Sequence, residues 1–243
     1  LQFYIMLKVS VVVPALNEEE NIEQCLRSIK NQTLKPYEII LGDGGSIDRT
    51  RQIAKRYVDR VAISKLRRSS VQRHAAAKIA KGKIIAFIDS DSFADKNWLK
   101  KTAEEFEKSS EVVGVYGPVH LFDGNVLDKF VSKYIFSPYL WLTGLLGWSS
   151  MAGMNMAVRA DAYKKVGGFN TELVTAEDLD LSKRLKKYGK IKFSGGIVYT
   201  SARRIKKWGY IKFFWYHFTN LFAFHTTGKP HATYENVRYE NIR

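Results

Sequence analysis

The chain has 243 residues, enough to bury a sizeable core as one large domain or as a core with an appendage. Hydrophobic residues at 45% and charged residues at 26% are ordinary for a folded globular protein and exclude disorder and collagen-like repeats. Its single cysteine, Cys25, excludes an internal disulfide and a cysteine-cluster zinc site and fits a reducing compartment; 39 Lys and Arg against 24 Asp and Glu leave a net charge of +15, a field that favours nucleic acid, anionic lipid head groups or phosphorylated small molecules.

The first residues, Leu1 to Met6, run into a strand-like segment without a small-residue cleavage site, so no secretory signal is read there and Met6 is a candidate initiator. Lys8–Pro14 is a β-branched run suited to a strand buried on both faces. Asn17, with Glu20 three residues on, predicts a capping box for a helix whose inner stripe is Ile22, Leu26 and Ile29. A second strand is expected over Tyr37–Gly42 and a second helix from Ser46 or Asp48 to Tyr57. A short strand at Arg60–Ile63, an Ala-rich helix over Ser70–Ala80 and a strand at Lys83–Ile88 follow. Asp95 is expected to cap a helix reaching Ser109, before a strand at Val112–Gly117. This alternation predicts an α/β protein, with a parallel sheet and helices on both faces.

The second half is less regular. Tyr134 to Val158 carries no charge and is long enough for a membrane span, but Pro138, Gly144, Gly147, Gly153, Ser149-Ser150 and Asn155 point to a buried or interfacial segment. A short strand is predicted at Asn155–Val158, a helix over Ala176–Tyr188, and strands at Lys190–Phe193 and Ile197–Thr200. An aromatic segment, Trp208 to Phe224, and a polar tail after Gly228 close the chain.

Ligands of open parallel sheets bind at the carboxyl ends of the strands, and three polar loops fall there: Pro14 to Glu19, Gly42 to Ser46 and Asp89-Ser90-Asp91. Two close carboxylates repel without a cation, so Asp89 and Asp91 suit a hard divalent ion that also holds substrate phosphates. Asp43 suits a hydrogen bond from a nucleobase or ribose, with Gly44-Gly45 admitting a planar group close to the backbone. In the basic run Lys65 to His74, Arg67, Arg68 and Arg73 are candidates for diphosphate oxygens. Glu177-Asp178 lies in a helix's first turn, and Asp178 shares the stripe of Leu181 and Leu185. It is either a carboxylate favoured by the helix dipole or a general base for an acceptor hydroxyl.

SVVVPALNEEENIEQCLRSIKNQT, EIILGDGGSIDRT, IIAFIDSDS and GGFN with TAEDLDLSKRL, in this order over Lys8 to Arg204, resemble family 2 glycosyltransferases of the GT-A fold. The resemblance implies a mixed, mostly parallel sheet with helices on both faces. It implies a catalytic domain over residues 6–204, with a nucleotide-binding half to about 118 and an acceptor half beyond, followed by a helical appendage and tail over 205–243. It further implies nucleotide-sugar contacts from Pro14, Ala15, Glu19, Asp43, Arg73 and Asp89, a Mg²⁺ or Mn²⁺ held by Asp91 with Asp89, and Asp178 as the base of an inverting transfer. Glu177, Arg203 and Arg204 would face the acceptor or the diphosphate. His74 stands where the family usually has Asn, and the Q-x-x-R-W signature of processive synthases is absent, so polymer synthesis is not expected.

The expected activity is metal-dependent transfer from a UDP- or GDP-linked sugar to a saccharide, or to a lipid-linked acceptor through a hydroxyl or phosphate oxygen. The aromatic segment, flanked by Arg203, Arg204, Lys206 and Lys207, fits helix packing, a dimer contact, an acceptor platform or a lipid–water interface. Cytoplasmic residence, with attachment to an anionic membrane face, is the corresponding expectation. A sugar nucleotidyltransferase would want a Gly-rich loop where PALNEEE stands. A non-enzymatic basic protein would bind a membrane surface or nucleic acid without metal-dependent nucleotide-sugar binding, and nucleic acid is the less expected partner.

Overall fold

The computed structural model describes residues 7–64, 66–145, 148, 151–173 and 175–228. Met6, Lys65, Gly147, Ser149-Ser150 and the tail after Gly228 lie outside them.

The order is β1 (Val9–Ala15), α1 (Ile22–Lys30), β2 (Glu38–Asp43), α2 (Thr50–Ala54), β3 (Arg60–Ile63), α3 (Ser69–Lys78), β4 (Ile84–Phe87), β5 (Ser92–Ala94) and α4 (Trp98–Lys108). Then come β6 (Val112–Tyr116), β7 (Val119–Leu121), α5 (Val126–Val131), a π-helical turn (Ser132–Phe136), α6 (Ser137–Leu145), β8 (Met156–Arg159) and α7 (Ala160–Lys165). The last elements are α8 (Glu177–Leu185), β9 (Lys190–Phe193), β10 (Val198–Thr200) and α9 (Arg203–Thr227).

β1 is buried along its whole length, as its unbroken apolar run requires. Its alternate side chains serve opposite faces. Val9, Val11 and Val13 pack with Ile22, Leu26 and Ile29 of α1 and Trp98 and Phe106 of α4, whereas Val12 joins Ala76 of α3 and Leu181 and Leu185 of α8. The main sheet runs β3-β2-β1-β4-β8-β6-β9. β1 to β4 are mutually parallel, β8 is antiparallel to β4 and β6, and β9 is parallel to β6. The sheet is therefore mixed and mostly parallel, as the resemblance implied. After β2 and β3 on one side of β1, the chain returns as β4 on the other, opening a crevice at the carboxyl ends of β1 and β4. In a second sheet, β10 lies between β5 and β7.

Some local expectations fail for physical reasons. Asn17 is not a helix cap; it adopts a left-handed conformation (φ 52°), and its carboxamide oxygen accepts from Ile47 N–H at 3.0 Å. Helix α1 instead starts at Ile22, where the Glu18 carbonyl accepts from Asn21 and Ile22 N–H. Asp95 does not cap α4 directly: its carboxylate accepts from Asn97 N–H at 3.0 Å, shaping the turn before Trp98. The uncharged stretch is only partly buried. Leu140 and Met151 enter the core, while Trp141, Leu142 and Leu145 of α6 are exposed. Among the described residues no helix is long and apolar enough to cross a membrane.

Helix α3 lies unusually close to β2. A Cβ at Gly42 would sit inside contact distance of the Gln72 carbonyl oxygen, and one at Gly44 would collide with the Gln72 side chain. Gly44 thus makes room for the Gln72 side chain of α3. Gly42→Ala is expected to lower stability by about 1–3 kcal/mol, because the clash is with backbone rather than a flexible side chain; urea unfolding measures it.

Candidate active site

Two arginines organise the carboxyl edge of the sheet. Arg73, on α3, is buried, with Nη2 donating to Asp89 Oδ1 at 2.6 Å and Nη1 to Glu177 Oε1 at 2.8 Å. Burial works against its charge, but Asp89 and Glu177 outweigh that and hold its pKa above the ordinary value. A Cβ at Gly153 would come within 3.1 Å of this guanidinium, so glycine there lets the 151–155 loop lie against it. Arg203 comes from the first turn of α9, with Nη2 2.8 Å from Asp91 Oδ2 and 3.1 Å from Glu18 Oε1.

Asp178 sits behind this pair network. Its Oδ2 accepts from Gly153 N–H at 3.0 Å and its Oδ1 from Leu179 N–H at 2.8 Å. Burial, with the neighbouring Glu177 charge, pushes its pKa up to about 6 against the opposing pull of Arg73. Asp91 is also raised, chiefly by burial; the charges of Asp89 and Glu18 add to this, and those of Arg203 and Arg204 oppose it.

A polar cleft is lined by Pro14, Ala15, Arg73, Asp89, Asp91, Glu177, Arg203 and Arg204. Sequence reasoning had singled out all eight. Three further expected site residues, Asp178, Glu19 and Asp43, stand outside this lining. Glu19 turns to Arg49, accepting from its backbone N–H and Nε at 3.1 and 3.0 Å. Asp43 is buried at the end of β2, accepting from Gly45 and Ser46 N–H with Arg51 Nε 3.7 Å away. Its register partner is Ala15, so it adjoins the cleft wall while shaping the loop after β2. Arg67 and Arg68 are not in the lining either, and His74 faces Tyr163 Oη at 3.1 Å.

The residues missed from the sequence include Glu18, Ser69 and Gln72, which also line the cleft. Glu18 lies in a loop, where no periodicity tells which of three successive glutamates turns inward. Cys25 supports the Asp89-Ser90-Asp91 loop from below, its thiol 3.4 Å from the Asp89 carbonyl oxygen, and burial pushes the thiol pKa well up.

Among the described residues no three His, Cys, Asp or Glu side chains form a closed metal cage. The donors nonetheless fit a hard divalent ion that completes its shell with phosphate oxygens. Asp89 and Asp91, separated by Ser90, offer hard oxygen donors, and the guanidinium on Asp91 already supplies positive charge there.

A model of glycosyl transferase family 2 matches residues 10–167, and the chain belongs to that family. It is 27% identical over 191 residues to the glycosyltransferase AglE of Haloferax volcanii, an alignment covering 72% of this chain and 60% of that relative's length. Its fold is similar to the mannosyltransferase PcManGT of Pyrobaculum calidifontis, solved with GDP-Man and Mn²⁺. The TM-score is 0.66 and the identity 18%, over 91% of this chain and 62% of that one. It is also similar to the first 349 residues of S. aureus TarS, solved with UDP-GlcNAc, at a TM-score of 0.62 and 21% identity over 80% of this chain and 58% of that one. The fold is thus of the GT-A type.

Arg73→Met would leave Asp89 and Glu177 without their shared counter-charge. A loss of about 3–5 kcal/mol in unfolding free energy is expected, the range for breaking a buried ion pair from one side. Arg73→Lys should lose less in the same denaturation measurement.

Proposed function

We propose that the chain is a metal-dependent inverting glycosyltransferase that moves a sugar from a UDP- or GDP-linked donor to an acceptor oxygen. The observation that carries this reading is the convergence of Asp89, Asp91, Glu177 and Arg203 on one cleft, with Asp178 held behind it. The catalytic domain is read as residues 6–204, with 205–243 as its appendage. The donors named for PcManGT and TarS support the donor class.

In this reading Pro14 and Ala15 support the nucleoside, Asp43 lies beside it, and Glu19 keeps the loop after β1 in place through Arg49. Asp91, with Asp89, would hold Mg²⁺ or Mn²⁺. When bound, that ion offsets the charge developing on the leaving nucleoside diphosphate. Arg203 and Arg204 add positive charge where the diphosphate and the acceptor meet.

The acceptor oxygen attacks the anomeric carbon from the face opposite the diphosphate. The bond from that carbon to the β-phosphate oxygen breaks, and its electron pair leaves with the nucleoside diphosphate. A hydroxyl acceptor gives its proton to Asp178. A pKa near 6 leaves Asp178 ionised at neutral pH yet more basic than an ordinary carboxylate. Gly153 and Leu179 N–H fix its orientation. A phosphate acceptor, ionised already, needs no such base.

Thermal-shift measurements should show UDP- or GDP-sugars raising the melting temperature with Mn²⁺, and Asp91→Asn should remove the metal-dependent part. Asp178→Asn should keep that shift while lowering turnover on a hydroxyl acceptor by about 100-fold or more. Undiminished turnover on such an acceptor would remove Asp178 from the mechanism. With Asp178 active as the ionised form, kcat/KM on that acceptor should fall as pH drops through about 6, and a pH–rate profile checks it.

A further inference from the structure

A second cleft begins at the same charged residues and has a different chemistry. Asp89, Asp91, Arg203 and Arg204 line both clefts. Beyond them the second cleft enters an apolar space walled by Val119 and Leu121 of β7, Val131 of α5, Phe136 of the π-helical turn, and Ile205 and Phe214 of α9. With the solvent open at its mouth included, the space amounts to about 690 Å³.

The hydroxyl groups in this wall are already engaged. Ser132 Oγ donates to the Lys129 carbonyl and accepts from Leu121 N–H. Thr200 Oγ1 accepts from Ser92 Oγ, and Ser201 Oγ donates to Asp123. His217 stacks edge-on against Phe213 and is held neutral, burial and Arg204 lowering its pKa to about 4. Among the apolar side chains of this space a saccharide would recover few hydrogen bonds for the hydration its hydroxyls lose, whereas a hydrocarbon chain has no such hydration to lose.

We infer that this cleft is the acceptor subsite and takes the hydrocarbon chain of a lipid-linked acceptor whose phosphate-bearing head lies against Arg203 and Arg204. The inference rests on the glycosyl-transfer reading of the adjoining polar cleft and names that reaction's acceptor. Charge and apolarity divide as such a molecule does: guanidinium groups at the mouth suit a phosphate, and the aliphatic and aromatic wall suits methylenes. Further exposed apolar residues stand on α5 (Phe130), on α6 after the π-helical turn (Trp141 and Leu145) and on α9 (Ile211, Trp215 and Phe222). Lys207 and Lys212 are exposed on α9 among them. This combination suits the surface of an anionic bilayer, from which the acceptor would enter.

The test is calorimetric titration of the full chain with hexyl, octyl and decyl phosphate, decanol and inorganic phosphate, each below micelle formation, beside UDP and GDP with Mn²⁺. Affinity is expected to rise about fourfold per buried methylene along the alkyl phosphates, with decanol at least tenfold weaker than decyl phosphate. Phe214→Glu and Val131→Phe should each weaken decyl phosphate at least tenfold and leave nucleotide binding unchanged. If decyl phosphate binds no better than inorganic phosphate while nucleotide binds, the lipid acceptor is wrong and the donor reading stands. If decanol equals decyl phosphate, the head is not held by Arg203 and Arg204, and the proposal fails in that form. If neither UDP nor GDP binds, the glycosyl-transfer reading falls and the acceptor assignment falls with it. The wild-type chain-length series decides the matter even if both variants fail to fold.

Discussion

Five carboxylates, Glu18, Asp89, Asp91, Glu177 and Asp178, crowd one edge of the sheet, and two arginines keep them there. Arg73 bridges Asp89 to Glu177, and Arg203 bridges Asp91 to Glu18. The two arginines reach the site by separate routes. Arg73 depends on α3 lying against β2, which the missing side chains of Gly42 and Gly44 permit. Arg203 depends on the small sheet: β10 pairs with β5 immediately after Asp91, and α9 starts three residues beyond β10. The main sheet thus supplies one counter-charge and the small sheet the other, and the acidic edge needs both.

Stability alone does not account for such an arrangement. Buried ion pairs recover little more than their desolvation cost, and apolar residues of similar volume serve a core as well or better. Val9 to Val13, Ile39 to Leu41 and Ile84 to Phe87 show that this chain builds an apolar core where a core is wanted. Clustered carboxylates at the open end of the same strands add nothing to that core, and their charge fits the proposed roles of holding a cation and taking a proton. The raised pKa of Asp178 and Asp91 follows chiefly from burial, to which the charge of Glu177 adds for Asp178 and those of Asp89 and Glu18 add for Asp91.

Much of this was legible in the sequence because strong local signals coincide with the core. The strands at Arg60–Ile63 and Lys190–Phe193 match their expected ends, and β1, β2 and β4 shift by only one or two residues. The three-residue strands β5 and β7 escaped notice, being too short for alternation to register. Asn17 misled because Asn favours both helix caps and left-handed turns, and contacts from Ser46 and Ile47 decide between them here. Asp43 and Glu19 were legible as residues at the right strand ends, but not in their partners: Asp43 orders its own loop and Glu19 pairs with Arg49. Glu18 is the converse case. Its carboxylate is shared between Asn21, three residues on, and Arg203, 185 residues away in sequence, and no local pattern carries the second partner.

The helix α9 ties the charged and apolar regions together. Arg203 and Arg204 stand on its first turn, and Phe213, Phe214 and His217 line the apolar cleft several residues further on. Gly209, at φ 72° between them, breaks the helical path; a straight α-helix would carry the aromatic residues about 15 Å from Arg203 along a single axis. The kink therefore lets one element wall both ends of a single cleft. It also makes the two ends mechanically dependent, because the contacts of Arg203 with Asp91 and Glu18 anchor the same helix whose later turns shape the apolar wall. A change in charge at Asp91 would act directly on the first turn of that helix, because Arg203 is its partner. The charged and apolar regions are in this way joined by a short covalent path as well as by a shared boundary.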